Sequence, residues 1–148
     1  MSSRNLFPVT VVGSWARPSY LIKALRSRQA WEISFKDFNE VADRAVLEAL
    51  ELQEQAGVDL ITDGEQRRDN FYSFVVEKLS GMKLTKVSEL MDYAKDRARF
   101  EEVLRALDVP AFAIKSPIAI DKIQVLEPLA LDELSFAKEH TNRDIKVT

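Results

Sequence analysis

An α/β fold built on a parallel sheet is predicted by three observations. Two short apolar runs, Thr10-Val11-Val12 and Val58-Asp59-Leu60-Ile61-Thr62, break soon after at glycines, Gly13 and Gly64. A long amphipathic segment lies between them, with tight connections on both sides. A third apolar run, Ile145-Lys146-Val147, follows a helical pattern near residue 140. Strand, helix and strand in that order make a βαβ unit, which implies parallel strands and a right-handed crossover.

Each element has local support. Pro8 precedes the first run, and Gly13 ends it. Ser19 is expected to cap a short helix reaching about Arg28. Ser34-Phe35-Lys36-Asp37 resembles a capping box, with Asp in place of the usual Glu. A long helix follows, whose apolar face is Phe38, Val41, Ala42, Ala45, Val46, Ala49, Leu50 and residues 53–56, at spacings of three and four. Gly57 stands where a helix-terminating glycine belongs. Asp69 is expected to cap a helix running to about Leu79 and closed by Gly81. Phe71, Tyr72 and Phe74 fall on that helix as core or barrel-mouth residues, while Phe35 and Phe38 fit packing of the long helix.

Residues 82–125 depart from the pattern. Segments 83–87 and 111–125 alternate like strands, and 88–107 reads as a charged helix between them. The expectation is an excursion within a single domain of residues 1–148, formed by an antiparallel hairpin arm and a helix. Residues 130–140 then read as a helix burying Leu131, Leu134, Phe136 and Ala137. His140, the only histidine, is expected to be a helix-end residue.

Composition narrows the function classes. With 148 residues, 46% hydrophobic and 30% charged, the chain has the make-up of one globular domain. A net charge of -3 gives no reason to expect nucleic acid. The charge is uneven: residues 37–65 hold nine Asp and Glu against Arg44 alone. That block is read as the solvated outer face of the long helix. The absence of cysteine excludes disulfides and thiolate zinc sites within these residues. No run approaches the roughly 20 apolar residues of a membrane span, and no signal-peptide core is evident. A cytoplasmic protein without membrane contact is expected.

The strand ends carry the chemistry. In parallel α/β sheets ligands are held beyond the C-terminal ends of the strands, and neighbouring strands lie about 4.8 Å apart. Gly13 admits close approach to a ligand, and Ser14 offers a hydroxyl and an N–H suited to a carboxylate. Glu65 offers acceptor oxygens suited to an ammonium. Together they would grip an α-amino acid by its two charged ends. Each string taken alone fits equally well an ordinary turn or a solvated carboxylate.

The pairing of Val12-Gly13-Ser14-Trp15-Ala16-Arg17-Pro18 with Gly57-Val58-Asp59-Leu60-Ile61-Thr62-Asp63-Gly64-Glu65-Gln66-Arg67-Arg68 resembles the catalytic barrel of cobalamin-independent methionine synthase. Segments 113–118 and 128–147 are similar to its shorter relatives, so the resemblance covers essentially the whole chain. It implies a (β/α)8 TIM-type barrel, of which this chain would supply about the first three strands and their helices. It implies a methyltransferase that moves a methyl group from methyltetrahydrofolate to homocysteine. Gly13 and Ser14 match the loop that holds the homocysteine carboxylate, and Glu65 matches the glutamate that holds its amino group. Arg17 joins them as a candidate substrate contact, while Arg67 and Arg68 read as rim salt bridges. Trp15 is expected near the pocket mouth.

The departure from the family is the metal. The resemblance implies a zinc held by His, Cys, Glu and Cys from the second half of the barrel, and none of these ligands is recognisable here. The chain is therefore expected to be inactive alone, without stoichiometric zinc, and to associate with itself or with the rest of a barrel. Two other readings stay open: a related enzyme acting on another thiol such as coenzyme M, and a non-catalytic chain completing a barrel with a partner.

Overall fold

The structure is a computed structural model that describes residues 6–69, 73–106 and 115–148. It divides into two compact units, Met1–Phe71 with Ala130–Thr148, and Tyr72–Leu129.

The first unit holds the parallel strands. Helix α1 (Ser19–Gln29) is preceded by Pro18, so Ser19 is the first helical residue rather than the cap. Helix α2 (Phe35–Gln55) begins with the expected box: the Ser34 hydroxyl accepts from the Asp37 N–H, and the Asp37 carboxylate accepts from the Ser34 N–H. It ends at Ala56, followed by Gly57 at φ +74. Strand β1 (Leu60–Ile61) pairs in parallel with β4 (Asp144–Ile145), and Thr10 forms a parallel bridge to Leu60 on the other side. The three apolar runs therefore lie side by side, although the regular strands are shorter than expected. At the first run, Thr10 makes a single bridge, and Val9 supplies carbonyl bonds to the Asp59 and Leu60 N–H groups.

Two apolar clusters fasten the helices. Val46 and Leu50 of α2 pack with Val58, Ile61 and Ala137, the last from helix α5 (Leu131–His140). Leu21 of α1 packs with Phe38, Ala42 and Ala45 of α2. Seven residues of the predicted α2 face are fully buried, including Gln53. Gln53 does the work of a neighbouring strand. Its amide donates to the Thr62 carbonyl at 2.8 Å and accepts from the Thr62 N–H at 3.0 Å. The end of β1 thus has its backbone satisfied by a helix side chain, as burial requires. Leu131 is 56% exposed, contrary to expectation, and Glu133 is buried in its stead. Glu133 and Ala137, four apart, share the inward stripe, and Leu131 falls off it.

The second unit begins with a four-residue helix, α3 (Val75–Lys78), in place of the longer helix expected from Asp69. Phe74 is its N-cap residue. The expected positions of Phe71 and Tyr72, and of the strand segment 111–114, lie outside the described residues. Strand β2 (Leu79–Lys86) follows at once and pairs antiparallel with β3 (Lys115–Val125). Gly81 does not close a helix. It sits in β2 at φ +73, where the register shifts between Ser80 and Met82, and a side chain there would strike the Lys122 carbonyl. This is the bulge role of a strand glycine. A 3-10 turn (Val87–Asp92) and helix α4 (Arg97–Ala106) complete the unit.

Candidate functional site

The ends of the first two apolar runs are tied together by their own backbones. The Trp15 N–H donates to the Gly64 carbonyl at 3.0 Å. The Thr62 hydroxyl donates to the Gly13 carbonyl at 3.1 Å and accepts from the Gly64 N–H at 3.0 Å. The Gln66 amide, fully buried, donates to the carbonyls of Trp15 and Gly64. Ser14 lies between two anchored residues and faces solvent.

Glu65 is 6% exposed and stands against Gly13. A methyl group added to Gly13 would lie 2.5 Å from Glu65 Oε1 and 3.0 Å from the Thr148 hydroxyl. Three of the four predicted site residues, Gly13, Ser14 and Glu65, therefore come together at adjacent strand ends. Glu65 adopts φ +53 and follows Gly64 at φ +70, so the turn is left-handed over two residues.

Arg17 is also in this region, but its side chain meets loop backbone. Its Nη2 donates to the carbonyls of Glu65 at 3.2 Å and Arg68 at 2.8 Å. Arg67 donates to Asp43 and lies 4.1 Å above the Phe136 ring, as a rim salt bridge would. Arg68 is different: it is buried, not on the rim. It forms a two-pronged pair with Glu133, with Nη2 2.5 Å from Oε2, and donates through Nη1 to the Thr148 carbonyl at 2.7 Å. Burial opposes its charge, but Glu133 outweighs that, with Asp63 and Glu65 adding to it, and holds the guanidinium above the ordinary arginine range.

Asp63 and Glu133 escaped sequence reasoning. Asp63 Oδ1 accepts the Glu65 N–H at 3.0 Å, while its buried Oδ2 has no hydrogen-bond partner. A cavity of about 10 Å³, room for about one water, is lined by Asp63, Glu133 and Lys146 among others. The Asp-Gly pair was visible as a turn signal; its hold on the next residue but one was not. Trp15 packs its Cβ where a side chain on Gly64 would go.

The described residues do not fit a zinc site. They contain no group of three or more His, Cys, Asp or Glu placed to hold a metal. His140 Nδ1 lies 2.7 Å from the Phe136 carbonyl at the end of α5, and its ring lies 4.3 Å from that of Phe136. No helix among the described residues is long and apolar enough to cross a membrane.

Comparison with known proteins is consistent along the whole chain. The family described as "Cobalamin-independent synthase, Catalytic domain" matches residues 7–146. A methionine synthase of Sulfurisphaera tokodaii is 34% identical over all of this chain and 39% of its own length. One from Saccharolobus solfataricus is 32% identical over all of this chain and 40% of its own. The chain thus spans about two-fifths of the length of these relatives. A B12-independent methionine synthase from Shewanella sp. W3-18-1, solved in complex with selenomethionine, superposes with a TM-score of 0.61 at 17% identity. That likeness covers 95% of this chain and 37% of the other, and it concerns the fold. The chain belongs to the cobalamin-independent synthase catalytic-domain family.

Proposed function

We propose that this chain forms the substrate-holding part of a methyltransferase of the methionine synthase type, built as the first three strands of a (β/α)8 barrel. The observation that carries the reading is the Glu65 carboxylate held beside Gly13, with Ser14 exposed next to it. An amino-acid zwitterion fits such a place. Its ammonium takes the Glu65 oxygens, and its carboxylate takes the Ser14 hydroxyl and N–H. The selenomethionine bound to the Shewanella protein is an amino acid of this kind.

In this reading the acceptor is homocysteine and the donor a methyltetrahydrofolate. Zinc in enzymes of this class turns the thiol into a thiolate. The described residues do not fit that ion, so the role of this chain is to bind and orient. Gly13 lets the amino acid approach the backbone, Glu65 fixes its amino end, and Ser14 fixes its carboxylate. Arg17 acts on the loop that presents Glu65. The chain alone is expected to lack methyltransferase activity, to work in the cytoplasm, and to require association with further barrel strands.

The test is calorimetry with L-methionine, L-homocysteine and coenzyme M. Both amino acids are expected to bind and coenzyme M to give no heat. Glu65→Gln is expected to weaken amino-acid binding by about tenfold or more, the scale of one charge-assisted hydrogen bond. Silence from both amino acids, or a Glu65→Gln variant that binds as tightly as the parent, would sink the reading.

A further inference from the structure

We infer that Asp63 is a positioning residue that holds Glu65 in its left-handed conformation and so keeps the Glu65 carboxylate facing Gly13. The inference deepens the amino-acid-binding role and rests on it.

Left-handed backbone is unfavourable for a residue with a Cβ, and persists where surrounding bonds over-determine it. Glu65 sits at φ +53. Both of its backbone polar groups are taken. Its N–H donates to Asp63 Oδ1 at 3.0 Å. Its carbonyl accepts from the Arg68 N–H and from Arg17 Nη2, each at 3.2 Å. Asp63 is 8% exposed, so water competes poorly for its Oδ1. Short polar side chains bonding to a backbone N–H two residues ahead are a standard device for fixing turns.

The consequence for the site is directional. The Cα–Cβ bond of Glu65 points toward Gly13 because φ is positive there; returning φ to the negative side swings the side chain elsewhere. The approach is close, with 2.5 Å between Oε1 and the place a Gly13 methyl would occupy. A carboxylate on a rotated Cα loses that place. The bond from Asp63 therefore acts on ligand affinity through Glu65, without Asp63 touching the ligand.

Asparagine retains an oxygen able to accept the same N–H, and alanine does not. The experiment compares the protein with Asp63→Ala and Asp63→Asn by two readings. The first is hydrogen exchange at the Glu65 amide, followed by NMR. The second is the dissociation constant for L-methionine. Asp63→Ala is expected to speed exchange at Glu65 by about tenfold and to weaken L-methionine by a similar factor, the scale of one lost hydrogen bond. Asp63→Asn is expected to restore most of both, which a role for charge at this position would not do. Unaltered exchange in Asp63→Ala overturns the inference. So does faster exchange with unaltered affinity, or an Asp63→Asn variant as impaired as the alanine. Failure of the parent protein to bind L-methionine counts against the amino-acid-binding role, and the exchange reading then decides alone whether Asp63 holds Glu65.

Discussion

Gly13→Ala separates the site from the fold. The added methyl group would meet Glu65 Oε1 at 2.5 Å, where ordinary contact begins near 3.4 Å, so the oxygen must retreat by about 0.9 Å. The obstructing atom is the far end of a flexible side chain, and Gly13 does not occupy the left-handed region. The backbone can therefore stay in place while the carboxylate moves. A displaced charge-assisted hydrogen bond is worth about 1.5–3 kcal/mol, which is about 10- to 100-fold in affinity. The expected loss of stability is smaller, about 1 kcal/mol, or about 2–4 °C in melting temperature for a chain of this size. Calorimetric titration with L-methionine and a circular-dichroism melt read the two quantities separately. An alanine variant that binds L-methionine like the parent refutes the argument. A melt lowered by well over 10 °C would show instead that Gly13 is required for folding.

Three further outcomes follow from other parts of the structure. Gly64→Ala is expected to cost about 3 kcal/mol in urea unfolding, because φ +70 is joined by a clash 2.7 Å from Trp15 Cβ, whereas Gly57→Ala, with nothing within 4 Å, costs only the left-handed backbone, about 1 kcal/mol. Arg68→Met leaves Glu133 buried without its partner and is expected to cost about 3–5 kcal/mol, and adding Glu133→Leu is expected to recover most of it; a double variant no better than the single would mean the pair is not the source of the loss. Tyr20 is pushed up to about 12 by burial, by its hydrogen bond to Glu48 and by the Glu48 charge, against the opposing Arg44 charge. The folded state thus holds this proton more tightly than the unfolded chain, so its contribution is complete below pH 10 and is lost as the pH rises toward 12. Ultraviolet titration of tyrosinate absorbance is expected to show a late phase that Tyr20→Phe removes.

Helix α2 was legible because local signals agree: the Ser34 box, an unbroken apolar stripe and Gly57 at the end. The nearness of Gly13 to Glu65 was legible as a consequence of parallel strand neighbours, and the bond from Trp15 N–H to the Gly64 carbonyl is its physical form. The helix expected after Asp69 gave way to a strand beginning at Leu79, because Gly81 serves the bulge opposite β3 and not a helix end. That pairing joins residues about 40 apart in sequence, beyond the reach of a local window. Leu131 and Glu133 exchanged places because Arg68, distant in sequence, makes a buried carboxylate acceptable. Arg17 reached the predicted region, yet its target is a carbonyl that no side-chain pattern announces.

The two non-glycine residues with left-handed backbone, Trp31 at φ +62 and Glu65 at φ +53, respond alike to engineering for heat resistance and differ in what they give up. Glycine relieves the backbone at either position by about 1 kcal/mol. Trp31 is 93% exposed after the end of α1, so its replacement is free of further consequence for the strand ends. At residue 65 the same gain removes the carboxylate itself. A library screened for melting temperature alone would accumulate glycine or asparagine at both positions, and would discard ligand recognition at one of them without any signal in the screen.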